Sequence, residues 1–434
     1  MKTLPACLLL GLGLLTAPAL QAQSFLFSTP TGSAGQPGSK DGTNAVARFQ
    51  KPGSVAVDSA GNVYVADTYN HIIRQITLSA SGWVVTTIAG HHGTSGTNDG
   101  VGGDARFYFP YGIAVDNFGN VYVADTYNHT IRQLSFQGMD WMVSTLAGSV
   151  GAPGTNDGFQ TSAQFDYPQG LAVDAFGTLF VADTYNHTIR MVAGGGQVST
   201  LAGLGGTSGI ANGTNDTARF YFPEALSVDG AGNVYVADTY NCTIRMVSPV
   251  GFDWAVTTLA GQTRSPGTAD GTNSNAQFDY PTGLAIDSAT NLYIADTSAD
   301  TLRKLTLAGT NWVVTTVGGQ ALVPGSADGI GTAAQFNGPR GLAFDPAGDL
   351  YVADSSNHTL RFGVLGFALQ TTRQGNKLIL SWPAAAAAFT LETRSAAVTG
   401  AWTPLTTGIF LIGNNFVRTN TIGPTPAFFR LHQL

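Results

Sequence analysis

The segment Val65-Ala66-Asp67-Thr68-Tyr69-Asn70-His71-Ile72-Ile73-Arg74 decides the fold, because the chain repeats it with small changes five more times. It returns as ADTYNHTIR from Ala124 and from Ala182, as ADTYNCTIR from Ala237, as ADTSADTLR from Ala295 and as ADSSNHTLR from Ala353. The Asp of each copy, Asp67, Asp125, Asp183, Asp238, Asp296 and Asp354, marks intervals of 58, 58, 55, 58 and 58 residues. So long and regular a period is the signature of a repeat architecture, in which each unit buries its apolar faces against its neighbours.

Working outward from the segment, each unit holds four apolar stretches of strand length. In the second unit these are Gly112-Ile113-Ala114-Val115, Asn120-Val121-Tyr122-Val123-Ala124, Thr130-Ile131-Arg132-Gln133-Leu134 and Trp141-Met142-Val143-Ser144-Thr145-Leu146. Short links rich in turn formers, Asp116-Asn117-Phe118-Gly119 and Asp125-Thr126-Tyr127-Asn128-His129, join the first three as antiparallel hairpins. The unit is expected to be a four-stranded meander. Its first two strands are apolar almost continuously, which predicts burial on both faces, as in a propeller blade sandwiched between two others.

The strand count predicts how the ring closes. Six copies of the second strand are present but only five internal copies of the fourth, near Trp83, Trp141, Val198, Trp254 and Trp312. A shift of one period lays Phe25-Leu26-Phe27-Ser28-Thr29 on Trp83-Val84-Val85-Thr86-Thr87. The N-terminal segment is therefore a fourth strand without a blade, and the last unit is a blade without a fourth strand. Joining them closes the ring and removes the exposed edges at the seam. The linkers repeat as well, each with an Ala and a Phe before a Pro, from Ala47 and Phe49 to Ala334 and Phe336. The recurring Phe reads as a wedge that packs the linker onto the ring; the fourth unit departs from the others with Asn212-Gly213 in place of Asp-Gly.

Composition agrees with an all-β chain. It contains 55 Gly and only 11% charged residues, and Val, Thr, Tyr and Phe alternate with clusters of turn formers. A net charge of −7 with 20 Lys plus Arg leaves no basic footprint, so nucleic acid is not an expected partner. Lys2, the apolar run from Leu4 to Leu15 and Ala17-Pro18-Ala19-Leu20-Gln21-Ala22 read as a secretory signal cleaved after Ala22. The alternative, a retained anchor, is opposed by an apolar run shorter than the ~20 residues a spanning helix needs. The expected product is a monomer without a membrane span, secreted, periplasmic or at the cell surface. Cys7 would leave with the signal, so Cys242 would remain alone, without an intramolecular disulfide.

The run Pro110-Tyr111-Gly112-Ile113-Ala114-Val115-Asp116, the run from Gly119 to Asp125 and Asn128-His129-Thr130-Ile131-Arg132 together resemble the NHL-repeat family in its long, exported form. The resemblance covers roughly residues 25 to 365 and implies a six-bladed β-propeller. It implies no single activity, because related propellers include lyases, lactonases, receptor modules and binders of protein or RNA. Domain boundaries follow: residues 1–22 as signal peptide, 23–365 as propeller and 366–434 as a small β-sandwich resembling a fibronectin-type domain. The run Ala384 to Ala388 is read as a loop. The tail reads equally as a localising module or as a plain cap.

Candidate chemistry is weighed against the sixfold recurrence. The Asp and Arg of each hairpin, Asp67 with Arg74 through Asp354 with Arg361, occur once per blade, whereas an enzyme needs one site. They are expected to fix the hairpin by charge-assisted hydrogen bonds, the Asp also accepting from turn amides. His71, His129, His187 and His358 invite a metal reading, but equivalent points on stacked sheets lie ~10 Å apart while zinc needs ligands at ~2 Å. No metal or cofactor is expected at these positions.

A site is sought where blades differ. The residue after the inter-blade Pro is Gly53, Tyr111, Gln169, Glu224, Thr282 and Arg340 in turn, and it precedes the strand nearest the axis. Tyr111, Gln169, Glu224 and Arg340 are predicted to line a channel mouth that recognises a ligand or partner loop; the competing reading is a tolerant, solvated position. Tyr69, Tyr127, Tyr185 and Tyr240 are predicted to decorate the same face. The leading functional reading is an exported, non-catalytic scaffold that binds a protein or glycan partner. The alternative is a lyase or lactonase with an axial metal ion.

Overall fold

A computed structural model of the chain describes residues 24–366, 370–383, 389–394, 403–412, 415–421 and 428–433. The expected signal peptide and the loop reading of Ala384 to Ala388 lie outside these residues. The chain divides into two compact units, Phe25–Gly366 and a second that comprises the residues from Phe367 onward.

The first unit is a ring of six antiparallel sheets. In the second blade the strands Pro110–Val115, Val121–Asp125, Thr130–Gln137 and Asp140–Ala147 run in that order from the axis outward. The innermost strands touch one another around the whole ring, the sixth returning to the first. Closure occurs as the strand count predicts: Ser24–Gly32 lies beside Thr359–Gly366 as the fourth strand of the last blade. The expected four-stranded blade needs correction, because every sheet has five strands. Each linker lays two residues along the outer edge of the blade it is about to build, as Gly100–Val101 does on Met142 and Val143. A two-residue strand has no periodicity to read, yet it covers the edge that four strands would leave open.

Second strands are buried along their whole length in all six blades. Alternation sends their side chains to both sides: Tyr64 and Ala66 pack with Val121 and Val123 of the second blade, while Val63 and Val65 pack with Tyr351 and Leu360 of the sixth. One apolar cluster fills each of the six seams. Near the axis the inner strands approach so closely that side chains are excluded. A Cβ on Gly112 would collide with the Gln169 carbonyl, and one on Gly283 with that of Arg340.

The hairpin motif does more than close a turn. Asp125 and Arg132 are buried and paired at 2.8 Å. The Arg132 guanidinium also donates to the linker carbonyls of Arg106 and Asn98 and to Asp99, and it lies over the Phe107 ring at 5.1 Å. Asp125 accepts from the Asn128 side chain and from the Tyr108 amide, which belongs to the linker and not, as expected, to the turn. The pair thus clamps the linker to the blade. In the fourth blade Asn212 supplies an amide oxygen to Arg245 at 2.8 Å where other blades supply a carboxylate. Burial pushes the Asp carboxyls up to about 6 against the opposing pull of the arginines.

The residue after each hairpin turn, in the left-handed region, reaches the next blade. His71, His129, His187 and His358 accept the amide N–H of Phe109, Tyr167, Phe222 and Lys51 on Nδ1 at 3.1–3.2 Å. Asp300 accepts from Gly338 at 2.8 Å in the same way, and the Cys242 sulfur takes the Tyr280 amide. These histidines are therefore clips between blades at four of the six seams, with Cys242 and Asp300 at the other two.

The second unit has a four-stranded sheet, built from Gln370–Gln374, Lys377–Pro383, Asn415–Thr421 and Ile409–Ile412, and a three-stranded one, built from Thr403–Pro404, Phe389–Arg394 and Phe428–Gln433. Leu380 and Trp382 of one sheet and Leu391 of the other are buried in a common cluster, which is the arrangement of a small sandwich.

Three outcomes are expected. Phe27, fully buried against Phe336, anchors the closing strand, so Phe27→Ala should cost about 3–5 kcal/mol in urea unfolding. Leu26→Ala, 49% exposed on the same strand, should stay within about 0.5 kcal/mol. Arg190→Met leaves Asp183 buried and unpaired and should cost about 3–5 kcal/mol; a loss below about 1 kcal/mol would show that the clamp does not hold the blade. Third, burial lowers the pKa of all four clip histidines, with the neighbouring charges of His92 and Lys51 adding to the effect at His71 and His358 and that of Asp166 opposing it at His129. A depressed folded pKa gives stability that is present above the unfolded value of ~6.5 and lost as the pH falls below it. Replacing the four histidines by Asn keeps an acceptor in a left-handed residue but removes the titration. Between pH 7.5 and 5 the melting temperature of the wild type should fall further than that of the variant, and equal falls would refute the clip.

Candidate functional site

Strand register places the chemistry. Pro110 pairs with Asp125, so the start of each inner strand, the linker that precedes it and the Asp-Thr-Tyr-Asn hairpin share one end of the blade. This end, repeated around the ring, forms the hairpin face, and the axial channel opens at its centre.

The six residues that follow the inter-blade prolines, Gly53, Tyr111, Gln169, Glu224, Thr282 and Arg340, all line that channel. They differ in what they do there. Arg340 pairs with Glu224 across the axis at 3.6 Å and lies over the Tyr111 ring at 5.5 Å. These three come from alternate blades, the second, fourth and sixth. Thr282 is turned aside, its hydroxyl 2.5 Å from that of Thr297. Gly53 makes room, since a Cβ there would press on the Thr68 hydroxyl and the Tyr111 ring. Burial pushes the Glu224 carboxyl up, and the Arg340 charge opposes it; burial likewise raises Tyr111. Space for water in the channel is about 60 Å³. That is well below the ~300 Å³ at which small-molecule pockets begin. Glu224 is the single carboxylate of the channel lining, which contains no His, Asp or Cys. Among the described residues no group of three or more His, Cys, Asp or Glu is placed to hold a metal ion.

Around the channel mouth lies a surface that sequence reading anticipates only in part. Tyr69, Tyr127, Tyr185 and Tyr240 are exposed to 40–48%. They do not stand alone, because Phe109, Tyr167, Phe222 and Tyr280 fill the spaces between them. The eight rings form one unbroken chain, Tyr69, Phe109, Tyr127, Tyr167, Tyr185, Phe222, Tyr240 and Tyr280, with successive centroids 4.7–5.2 Å apart. Edge-to-face and tilted contacts predominate, the geometry that ring quadrupoles prefer. The arc crosses five blades and stops where Ser298, Gly338 and Ser356 replace rings, and at its other end the Lys51 ammonium sits over Tyr69 at 5.2 Å.

The intervening rings are each the residue before the inter-blade Pro, and their backbone is strained. Phe109, Tyr167, Phe222 and Tyr280 have φ between 47° and 51°, a region unfavourable for bulky residues and more so before proline. A left-handed residue costs ~1–2 kcal/mol. The inter-blade clip at each of these amides holds the conformation in place. In the sixth blade, where no ring is present, the position is Gly338. The missed signal was in the linkers, which read Tyr-Phe-Pro, Asp-Tyr-Pro, Tyr-Phe-Pro and Asp-Tyr-Pro in the second to fifth blades.

With the geometry described, similarity to known proteins can be placed on it. A family model described as the NHL repeat matches residues 49–76, 107–134, 165–190, 220–245 and 336–361. The copy it passes over, which carries Ser298, Ala299 and Asp300, retains the Asp296–Arg303 pair at 2.8 Å. NHL repeat-containing protein 2 of Bos taurus is 30% identical over 344 residues, 71% of this chain and 46% of that protein. The chain thus spans about half the length of the curated relatives it matches first. Among solved structures, a protein of unknown function from Bacteroides thetaiotaomicron VPI-5482 is similar over 79% of this chain and 76% of its own, with a TM-score of 0.58 and 22% identity. An auxiliary nutrient binding protein from Bacteroides ovatus ATCC 8483 is similar over 79% and 77%, with a TM-score of 0.57 and 17% identity. These two likenesses speak to the fold alone. Of the six copies of the hairpin, five are NHL repeats by the family model, and the first unit is a six-bladed propeller built on them.

Proposed function

We propose that the chain is an exported, non-catalytic binding scaffold that captures a protein segment on the hairpin face of its propeller. The observation that carries this reading is the arc of eight rings in contact, four of them held on the left-handed backbone that every blade has before its proline. Where the ring is absent the same conformation is taken by Lys51 in the first blade and Gly338 in the sixth, so an aromatic residue is not required for the blade itself. Half-exposed Tyr and Phe around a small polar centre match the composition of protein interfaces, which favour aromatic residues and few charges. In this reading Tyr127 and Tyr185 supply contact area, while the Glu224–Arg340 pair and Gln169 at the channel mouth orient the partner. A half-buried pair with one shared ring suits recognition of a polar tip more than chemistry on a substrate, for which the 60 Å³ channel leaves little space.

Propeller immobilised and exposed to the extracellular fraction of producing cells should retain a partner. Retention should fall at least tenfold in Tyr127→Ala/Tyr185→Ala and measurably in Glu224→Ala/Arg340→Ala, whereas Phe176→Ala, on the opposite face, should leave it unchanged. Retention that survives both double variants refutes the assignment of this face. Elemental analysis tests the non-catalytic part, since a stoichiometric transition metal or calcium ion would favour a lyase or lactonase.

A further inference from the structure

The opposite end of the ring carries a second site, at the seam between the first and second blades. Val115 pairs with Val121 and Phe136 with Trp141, so the loop at residues 116–120 and the turn between third and fourth strands lie away from the hairpin face. Between these elements and the first blade is a cleft of about 330 Å³, within the ~300–1,000 Å³ usual for small-molecule sites.

Its two walls differ in chemistry. The second blade contributes Phe118, Phe136 and Trp141, and Phe118 and Phe136 are 84% and 58% exposed. So large an exposure of a ring in a tight turn has no packing purpose, since Ala60, Ala231, Ala289 and Ala347 make the same turn in other blades. The polar groups are Asn62, Gln75 and Asn120, the last at the end of the Phe118 loop. The two asparagines commit their amide nitrogens to Asp58 and Asp116 at 2.8 Å, so that each carbonyl oxygen is turned away from its carboxylate. No hydrogen bond within the described residues ends on either oxygen. Tyr64, at the base of the cleft, donates its hydroxyl to Asp58 and packs edge-on against Trp141 at 5.8 Å. No charged side chain belongs to the lining.

Neutral acceptors beside exposed ring faces select a ligand that is uncharged, donates several hydrogen bonds and has an apolar face. A pyranose satisfies all three, its hydroxyls facing the amide oxygens and its C–H face the rings. We propose that this cleft binds a neutral carbohydrate chain. The repeats provide internal comparisons for the assignment. The third blade retains Phe176 but has Gly194 at the position of Phe136, and the fourth has Ala231 and Pro249 beside Trp254. The fifth has Ala289 and Leu307 beside Trp312, and the first has Ala60 and Leu78 beside Trp83. Only the second blade combines the three rings. This site is separate from the hairpin face and does not depend on the function proposed for it.

The test is calorimetric titration of the full chain with cellohexaose, maltohexaose and laminarihexaose, with a galacturonate hexamer as the charged comparison. At least one neutral probe should bind saturably, at least tenfold more weakly to Phe118→Ala and to Trp141→Ala, and unchanged to Tyr127→Ala/Tyr185→Ala. Phe118 is so exposed that its replacement leaves the fold intact, which guards the result against misfolding of the Trp141 variant. The proposal is overturned if no neutral probe binds at millimolar concentration, if Phe118→Ala binds as the wild type does, or if only the charged hexamer binds.

Discussion

The buried Asp–Arg pair is the interaction on which the rest of the propeller depends. Six arginines are among the largest fully buried side chains of the molecule, and a guanidinium at that depth is tolerated only when every direction is answered. Here the answers come from different parts of the chain: a carboxylate from the hairpin, two carbonyls and a second carboxylate or amide from the linker, and the face of the linker Phe. The Nε of each has no hydrogen-bond acceptor, and the guanidinium carbon lies 4.9–5.5 Å from the centre of the linker Phe ring. The pair itself spans seven residues of one hairpin, but the linker partners of the Arg lie 26–34 residues before it, so the full set of bonds requires linker and hairpin to be in place together. It couples local turn to global ring, which is the kind of agreement between levels that gives a repeat sequence one structure.

Much of this is legible in the sequence because repetition removes noise. The missing sixth outer strand and the unclaimed Phe25-Leu26-Phe27 segment lead to ring closure by counting alone, and the buried second strands follow from their continuous apolar pattern. What stays hidden is of three kinds. Gly100–Val101 is too short for any periodicity, so the fifth strand appears only as an Asp-Gly dipeptide that reads as a turn. The reach of His129 to Tyr167 spans 38 residues and a seam, and nothing in a hairpin sequence states that its last residue faces the next blade. The interleaved rings were missed for a third reason: a bulky residue before proline is expected to be extended, and the left-handed conformation that turns Phe109 and Tyr167 to the surface contradicts that rule.

That contradiction is informative because the strain is distributed unevenly. Four blades place a ring at the strained position, the first places Lys51 there, and the sixth relieves it with Gly338. The arc consequently has ends. At one end Lys51 extends it with a cation over Tyr69, and on the far side Ser298 and Ser356 open a polar gap. A partner that follows the rings meets a surface with direction, although the scaffold beneath it is nearly sixfold symmetric.

The same constraint explains why the blades differ at their two ends and not within them. Inside, a change must satisfy two seams at once, since alternate residues of one strand face different neighbours, and near the axis even a Cβ is excluded at Gly112 and Gly283. At the ends, the clamps and clips fix the backbone through Asp, Asn, Arg and His, leaving the side chains between them without a structural duty. Tyr127 in the hairpin and Phe118 in the opposite loop are both such residues: each sits within two positions of an Asp that holds the turn, Asp125 and Asp116, and each projects into solvent. A turn fixed by its carboxylate can exchange the neighbouring residue without loss of shape. One propeller can therefore carry unrelated recognition surfaces on its two faces, each set by a few loop residues and neither limiting the other.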